Sequence, residues 1–209
     1  LEPFLFSRHI QLKSLTINLH SFSGQKTQLL GSQMLIENDH EFHRVQLSVS
    51  VAKGDSPAHL IIEANGQPSD LNSFRANGYL KFENLNLSEP LKILTQSLMP
   101  NVSNEVDQYA IKTGGEIWLD FRPSTQLDYK GKLSLSKVPL NWLADDVPPV
   151  SDIKTSLTGW YMPGKDWGMQ LHELQFDLGS TTVEPINLLY SQQLGSHWQE
   201  FDISINHVN

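Results

Sequence analysis

Gly78-Tyr-Leu-Lys-Phe-Glu-Asn-Leu-Asn-Leu-Ser88 decides the fold class, because the chain repeats its frame in Gly131-Lys-Leu-Ser-Leu-Ser-Lys-Val-Pro-Leu-Asn141. Each copy opens on glycine, alternates apolar and polar residues, then slips by one before resuming on Leu85 and Leu87 or on Val138 and Leu140. Strict alternation turns every second side chain to the same face of a strand. A slip of one residue marks a bulge or a corner, since otherwise the apolar set would change faces. The opening glycines suit a tight bend. Two strand-plus-corner units predict a repetitive β architecture.

Outward from these copies the same period recurs. Residues 8–22 carry Ile10 and Leu12, then Leu15, Ile17 and Leu19, a long bent strand with one change of parity. Residues 26–37 form a second strand, and Phe42 to Val51 is the cleanest period-two run in the chain. Turns are expected at Ser23-Gly24-Gln25, at Glu37-Asn38-Asp39 and at Lys53-Gly54-Asp55-Ser56-Pro57, with a further strand over Ala58–Ala64. After the middle of the chain, strands are predicted over 116–121, 127–135, 153–161, 167–178, 183–190 and 198–205. Within 167–178 the apolar parity changes between Leu171 and Leu174.

The middle itself reads differently. Ser88-Glu89-Pro90 is a helix-start pattern, and Leu91, Leu94 and Leu98 then follow at helical spacing. Pro100 stops that helix, and Ser103 caps a second one that ends near Gly114-Gly115. One or two short helices are therefore expected across 89–112. The sequence reads as one β-rich module: a meander over 1–87, a helical insertion over 88–113 and a β repeat over 114–209. The expected fold is mostly β, a large curved antiparallel sheet forming either a half-open, taco-like groove or a sandwich.

With 209 residues the chain suffices for one substantial domain or two small ones. Its net charge of −8 and scattered basic residues argue against nucleic acid, whose binding rests on clustered Lys and Arg. The absence of cysteine excludes disulfides, a thiol nucleophile and cysteine metal sites. No stretch approaches the ~20 apolar residues of a transmembrane helix. The chain starts at Leu1-Glu2-Pro3 and stops within an alternating run at Ile203-Ser-Ile-Asn-His-Val-Asn209, so it reads as a piece of a longer protein.

Patterns that carry chemistry are sparse. Asp39-His40-Glu41-Phe42-His43 is the densest set of potential ligands, but its spacing is not the helical His-Glu-x-x-His of zinc proteases, and it reads as a solvated turn. Asp145-Asp146 sits beside Pro148-Pro149 in a loop, where adjacent carboxylates diverge. No nucleophile elbow, phosphate-binding glycine loop or dinucleotide fingerprint occurs. Trp118, Trp142, Trp160, Trp167 and Trp198 fall at strand or turn positions, where most indoles pack core and edges. The sequence predicts no enzyme, catalytic residue, metal or cofactor. A glycan-binding or glycan-processing domain would instead show exposed indoles, such as Trp160 and Trp167, lining a polar cleft with paired carboxylates.

Ser156-Leu157-Thr158-Gly159-Trp160, a Pro-Gly turn, and Asp166-Trp167-Gly168-Met169-Gln170-Leu171-His172-Glu173-Leu174-Gln175-Phe176-Asp177 resemble the recurring block of AsmA-like proteins of the YhdP type. In that family a short L-x-G strand precedes a G-W-x-L-x-L-x-x-L-x-L strand. Here the glycine follows the tryptophan. The resemblance implies a Gram-negative, inner-membrane-anchored protein with a long periplasmic part built of β modules. It also implies relatives among bridge-like lipid transfer proteins, and a role in phospholipid transport toward the outer membrane and in envelope integrity. The partners implied are phospholipid acyl chains and neighbouring β modules of the same parent chain.

A curved sheet with one uncovered apolar face suits that role. Each buried CH₂ contributes about 0.8 kcal/mol, so an acyl chain gains affinity without polar recognition. The parity runs nominate Leu47, Val49 and Val51, then Ile117, Leu119 and Phe121, then Leu127, Leu133 and Leu135, then Leu174, Phe176 and Leu178 for this face. The same residues would form the core of a closed sandwich, which is the competing reading together with a purely structural or assembly module.

Overall fold

The computed structural model describes residues 7–20, 26–50, 56–67, 70, 72–86, 111–123, 126–138, 148–193 and 199–205. These form eleven strands: β1 (His9–His20), β2 (Lys26–Asp39), β3 (Phe42–Ser50), β4 (Ala58–Asn65), β5 (Arg75–Asn86), β6 (Lys112–Arg122), β7 (Gln126–Val138), β8 (Val150–Met162), β9 (Asp166–Leu178), β10 (Thr181–Gln193) and β11 (Gln199–Ile205). All belong to one antiparallel sheet whose spatial order equals the chain order. Extensive contact between strands joins sequence neighbours only. Core burial is correspondingly thin. Ile36, Ala58, Ala64, Phe82, Ile111 and Leu157 are buried, and among the described residues no large side chain is completely so.

The parity changes read from the sequence have a backbone cause. Ser14, Asn84, Asp152 and Glu173 all have left-handed φ, between 49° and 56°. Asn84 lies where the β5–β6 pairing shifts, between Phe82 and Leu85. Asp152 lies where the β8–β9 pairing shifts, between Ser151 and Lys154. Ser14 kinks β1 opposite the shift in β2 between Gly31 and Gln33, so the two strands change parity together and keep their mutual register. Because neighbouring strands run in opposite directions, these kinks fall toward the same end of the sheet. A bulge bends its strand and increases the local twist. The kinks therefore give that end a shared bend.

Glu173 carries a side chain into a conformation that costs L-residues about 1–2 kcal/mol. Its main-chain N–H donates to Asn187 Oδ1 at 3.0 Å, which helps hold the kink. Glu173→Gly should therefore stabilise the sheet by about 1 kcal/mol, read as a higher urea midpoint at unchanged slope. A lower midpoint would mean that the carboxylate, not the backbone, sustains the bend.

Two expectations are corrected. Gly78 and Gly131 make no bend: both sit within strands, opposite Leu119 and Ile117. Gly114-Gly115 ends no helix, because β6 begins at Lys112 and carries both glycines in its ladder. The role of Gly115 is close approach, since a Cβ there would lie 2.5 Å from the Lys132 carbonyl oxygen, 2.9 Å from Leu133 Cδ2 and 3.1 Å from Phe82 Cζ. The helical expectation over 89–110 lies outside the described residues. Since β5 pairs directly with β6, the sheet crosses that segment without interruption.

Candidate functional site: an apolar strip across the sheet

Cross-strand partners point to the same face of a sheet. Following the partners through every ladder gives one row made of Leu12, Met34, Leu47, Leu60, Leu80, Ile117, Gly131, Leu157, Leu171, Leu188 and Ile203. Two residues away on the same face runs a second: Ile10, Ile36, Val45, Ile62, Gly78, Leu119, Tyr129, Gly159, Met169 and Tyr190. Neither row contains a charged residue. At about 4.8 Å per strand the strip runs about 48 Å along the sheet, perpendicular to the strands.

Flanking rows extend the strip at its middle. On one side lie Ala64, Ala76, Phe121, Leu127, Tyr161 and Trp167, with Asn38, His43 and Gln192 toward the ends. Trp167 packs on Tyr190 with ring centroids 5.1 Å apart. On the other side lie Val49, Ala58, Phe82, Gly115 and Leu133. The opposite face of the sheet carries the charged and polar rows, such as Lys13, Gln33, Ser48, His59, Lys81, Glu116, Lys132 and Ser156, beside a mixed row that includes Leu35, Ile61, Tyr79, Trp118 and Lys130.

Glycines shape the strip. Gly78 lies under Leu119, Gly131 beside Ile117, and Gly159 under the ring of Tyr129. Tyr129 thus lies flat across β8, and its hydroxyl donates to the Gly168 carbonyl on β9 at 3.0 Å. Burial pushes the Tyr129 phenol pKa up, so it remains a proton donor. Large side chains resting over glycine rungs keep the surface low along its length. The strip is also open to solvent at its margins: Leu12 is 36% exposed near one edge and Ile203 54% near the other.

Of the residues nominated by parity, Leu47 and Ile117 stand in the first row, and Leu119 in the second. Phe121 and Leu127 pair in one flanking row, and Val49 and Leu133 belong to the other. Leu135 faces Thr113 and Ile153 one step further on. Leu174, Phe176 and Leu178 follow the Glu173 kink and pair with Ile186, Val183 and Thr181. Val51 lies outside the described residues. Sequence reasoning missed Leu60, Leu80, Leu157 and Leu188, which have the same alternation but are joined to the rest only by cross-strand register.

The polar side chains offer little chemistry. His40 closes the β2–β3 turn with its Nδ1 2.7 Å from Asp39 Oδ1, both highly exposed, and His43 Nδ1 meets Asn38 Oδ1 at 2.8 Å. Ser48 and His59 pair at 3.0 Å, as do Thr158 and His172 at 2.9 Å. These are cross-strand hydroxyl–imidazole contacts on the polar face. Neither imidazole has a carboxylate partner among the described residues to orient it as a base. Among the described residues no three His, Cys, Asp or Glu side chains gather as a metal site, and no helix is long and apolar enough to cross a membrane. Asp145 and Asp146, and with them Trp142 and Trp198, lie outside the described residues. Compared with family models, with curated proteins and with solved structures, the chain finds no match.

Proposed function

We propose that this chain is a non-enzymatic module of an inner-membrane-anchored periplasmic protein that supports phospholipid transport between the membranes and envelope integrity. The observation that carries the proposal is the pair of uncharged rows running across the sheet on one face. Such a strip runs along the sheet rather than around a closed centre, so an acyl chain laid on it keeps apolar contact at each successive strand. Stabilisation then accrues at about 25 cal/mol per Å² of apolar surface removed from water, without a specific polar anchor. The resemblance to AsmA-like proteins of the YhdP type supports the same reading and supplies its periplasmic setting.

Protein purified from bacteria without detergent should carry phospholipid, detected by organic extraction and mass spectrometry. It should also take up a fluorescent phospholipid from vesicles. Lipid-free protein that takes up none would overturn the proposal in favour of a structural module.

A further inference from the structure

The polar face carries a depression of about 520 Å³ that the apolar strip does not explain. Its walls are the side chains of Asn77, Trp118, Asp120, Arg122, Asp128 and Lys130. Register sends the side chains of Leu119 and Tyr129 to the opposite face, so their main chain, with Gly78 and Gly159, forms the floor. Its size falls in the range of small-molecule sites.

Trp118 is 37% exposed on the face that also carries Asp120, Asp128 and Lys130. Its ring packs against Tyr79 at a centroid distance of 5.5 Å, which fixes one side and leaves the other toward the depression. Trp160 and Trp167, the indoles nominated by sequence for a glycan, are already engaged. Trp160 lies over Gly168 and donates to Asp166 at 3.1 Å, while Trp167 belongs to the apolar face and donates to Gln192 at 3.3 Å.

The carboxylates are prepared as acceptors. Asp120 and Asp128 are direct cross-strand partners, a placement that would repel without a counter-charge. Arg122 supplies it, reaching Asp120 Oδ2 at 3.0 Å and Asp128 Oδ2 at 3.3 Å, and Gln126 Nε2 donates to Asp128 Oδ1 at 2.8 Å. Two carboxylates against Arg122 and Lys130 cancel, so the site favours neither an anion nor a cation. Lys130 and Asn77 have no side-chain hydrogen-bond partner among the described residues, leaving open donors beside anchored acceptors.

We propose that this depression binds a neutral saccharide, one sugar ring stacking on Trp118 and its hydroxyls meeting Asp120, Asp128, Lys130 and Asn77. A sugar matches the site in three respects. Its C–H face suits an indole, its hydroxyls both donate and accept, and it carries no charge. The site lies on the face opposite the apolar strip, so it stands or falls independently of lipid binding.

Titration of the full chain with N,N′-diacetylchitobiose and with maltose, followed by tryptophan fluorescence and calorimetry, tests this. At least one disaccharide should saturate with a Kd of about 1 mM. Asp120→Asn and Trp118→Phe should each weaken it about tenfold or more, with urea midpoints near that of the unmodified chain and phospholipid uptake unchanged. Saturation by neither disaccharide overturns the proposal. So does binding untouched by both variants, or binding confined to the charged sugar galacturonate.

Discussion

Gly131→Ala is expected to destabilise the sheet by about 3 kcal/mol, a large effect for a single methyl. Gly131 stands at the centre of β7, directly opposite Ile117. A Cβ there would collide with the Glu116 carbonyl oxygen and approach Ile117 Cα and Cγ1 to 3.2 Å. The first two are main-chain atoms of β6, which cannot swing aside as a rotamer does. The β6–β7 ladder must open locally, losing hydrogen bonds and the packing of the strip on both sides. Two alanine substitutions set the scale. Gly31→Ala meets only the Leu15 side chain, Cγ at 2.5 Å and Cδ2 at 2.7 Å, and a rotamer change relieves that for about 1 kcal/mol. Gly164→Ala meets nothing within 4 Å but occupies a φ of +74°, which also costs about 1 kcal/mol. Urea unfolding of the three variants should place Gly131→Ala well below the other two. Equal midpoints would show that β6 and β7 separate at no cost at this rung.

Gly131 also shows where sequence reading stops. Its place at the head of an alternating run is visible in the sequence, and a tight bend is the local inference, because glycine in isolation signals backbone freedom. What fixes its role is the residue opposite, Ile117, and no pattern within β7 names that partner. Strands and their parity slips were legible because alternation is a local consequence of the pleat. Leu12 to Leu15, Phe82 to Leu85 and Leu171 to Leu174 each straddle a residue with left-handed φ. The reading of Gly114-Gly115 as a helix end fails for the same reason as that of Gly131: paired glycines stop a helix locally, while here Gly115 admits Phe82 and Leu133 from neighbouring strands. The strip was half legible, since each strand announces its apolar face but the rows emerge only once register joins them. The depression beside Trp118 was illegible. It depends on Asp120 and Asp128 standing opposite each other across a ladder, with Arg122 two residues away reaching both.

Leu119→Asp should leave the sheet folded and abolish its lipid uptake, the largest functional effect expected of one substitution on the strip. Leu119 occupies the second apolar row, resting over Gly78 and beside Tyr129, and it is half-buried rather than enclosed. An aspartate there keeps part of its hydration, so the lost apolar contact should cost about 2 kcal/mol. A strand-rich circular dichroism spectrum and cooperative unfolding should survive. An acyl chain crossing the same rung, however, would have to strip water from the carboxylate, a penalty of several kcal/mol that no neighbour offsets. Uptake should therefore fall by more than about tenfold, with Leu119→Asn losing less because its amide carries no charge. Leu133→Asp and Phe176→Asp extend the test to the flanking row and to the segment beyond the Glu173 kink, where both side chains are again half-buried. If all three aspartate variants fail to fold, the charge has been placed in a closed interior, and the strip is the core of a sandwich rather than a surface for lipid. If they fold and still take up phospholipid, the acyl chain does not travel along these rows, and the transport proposal fails while the fold stands.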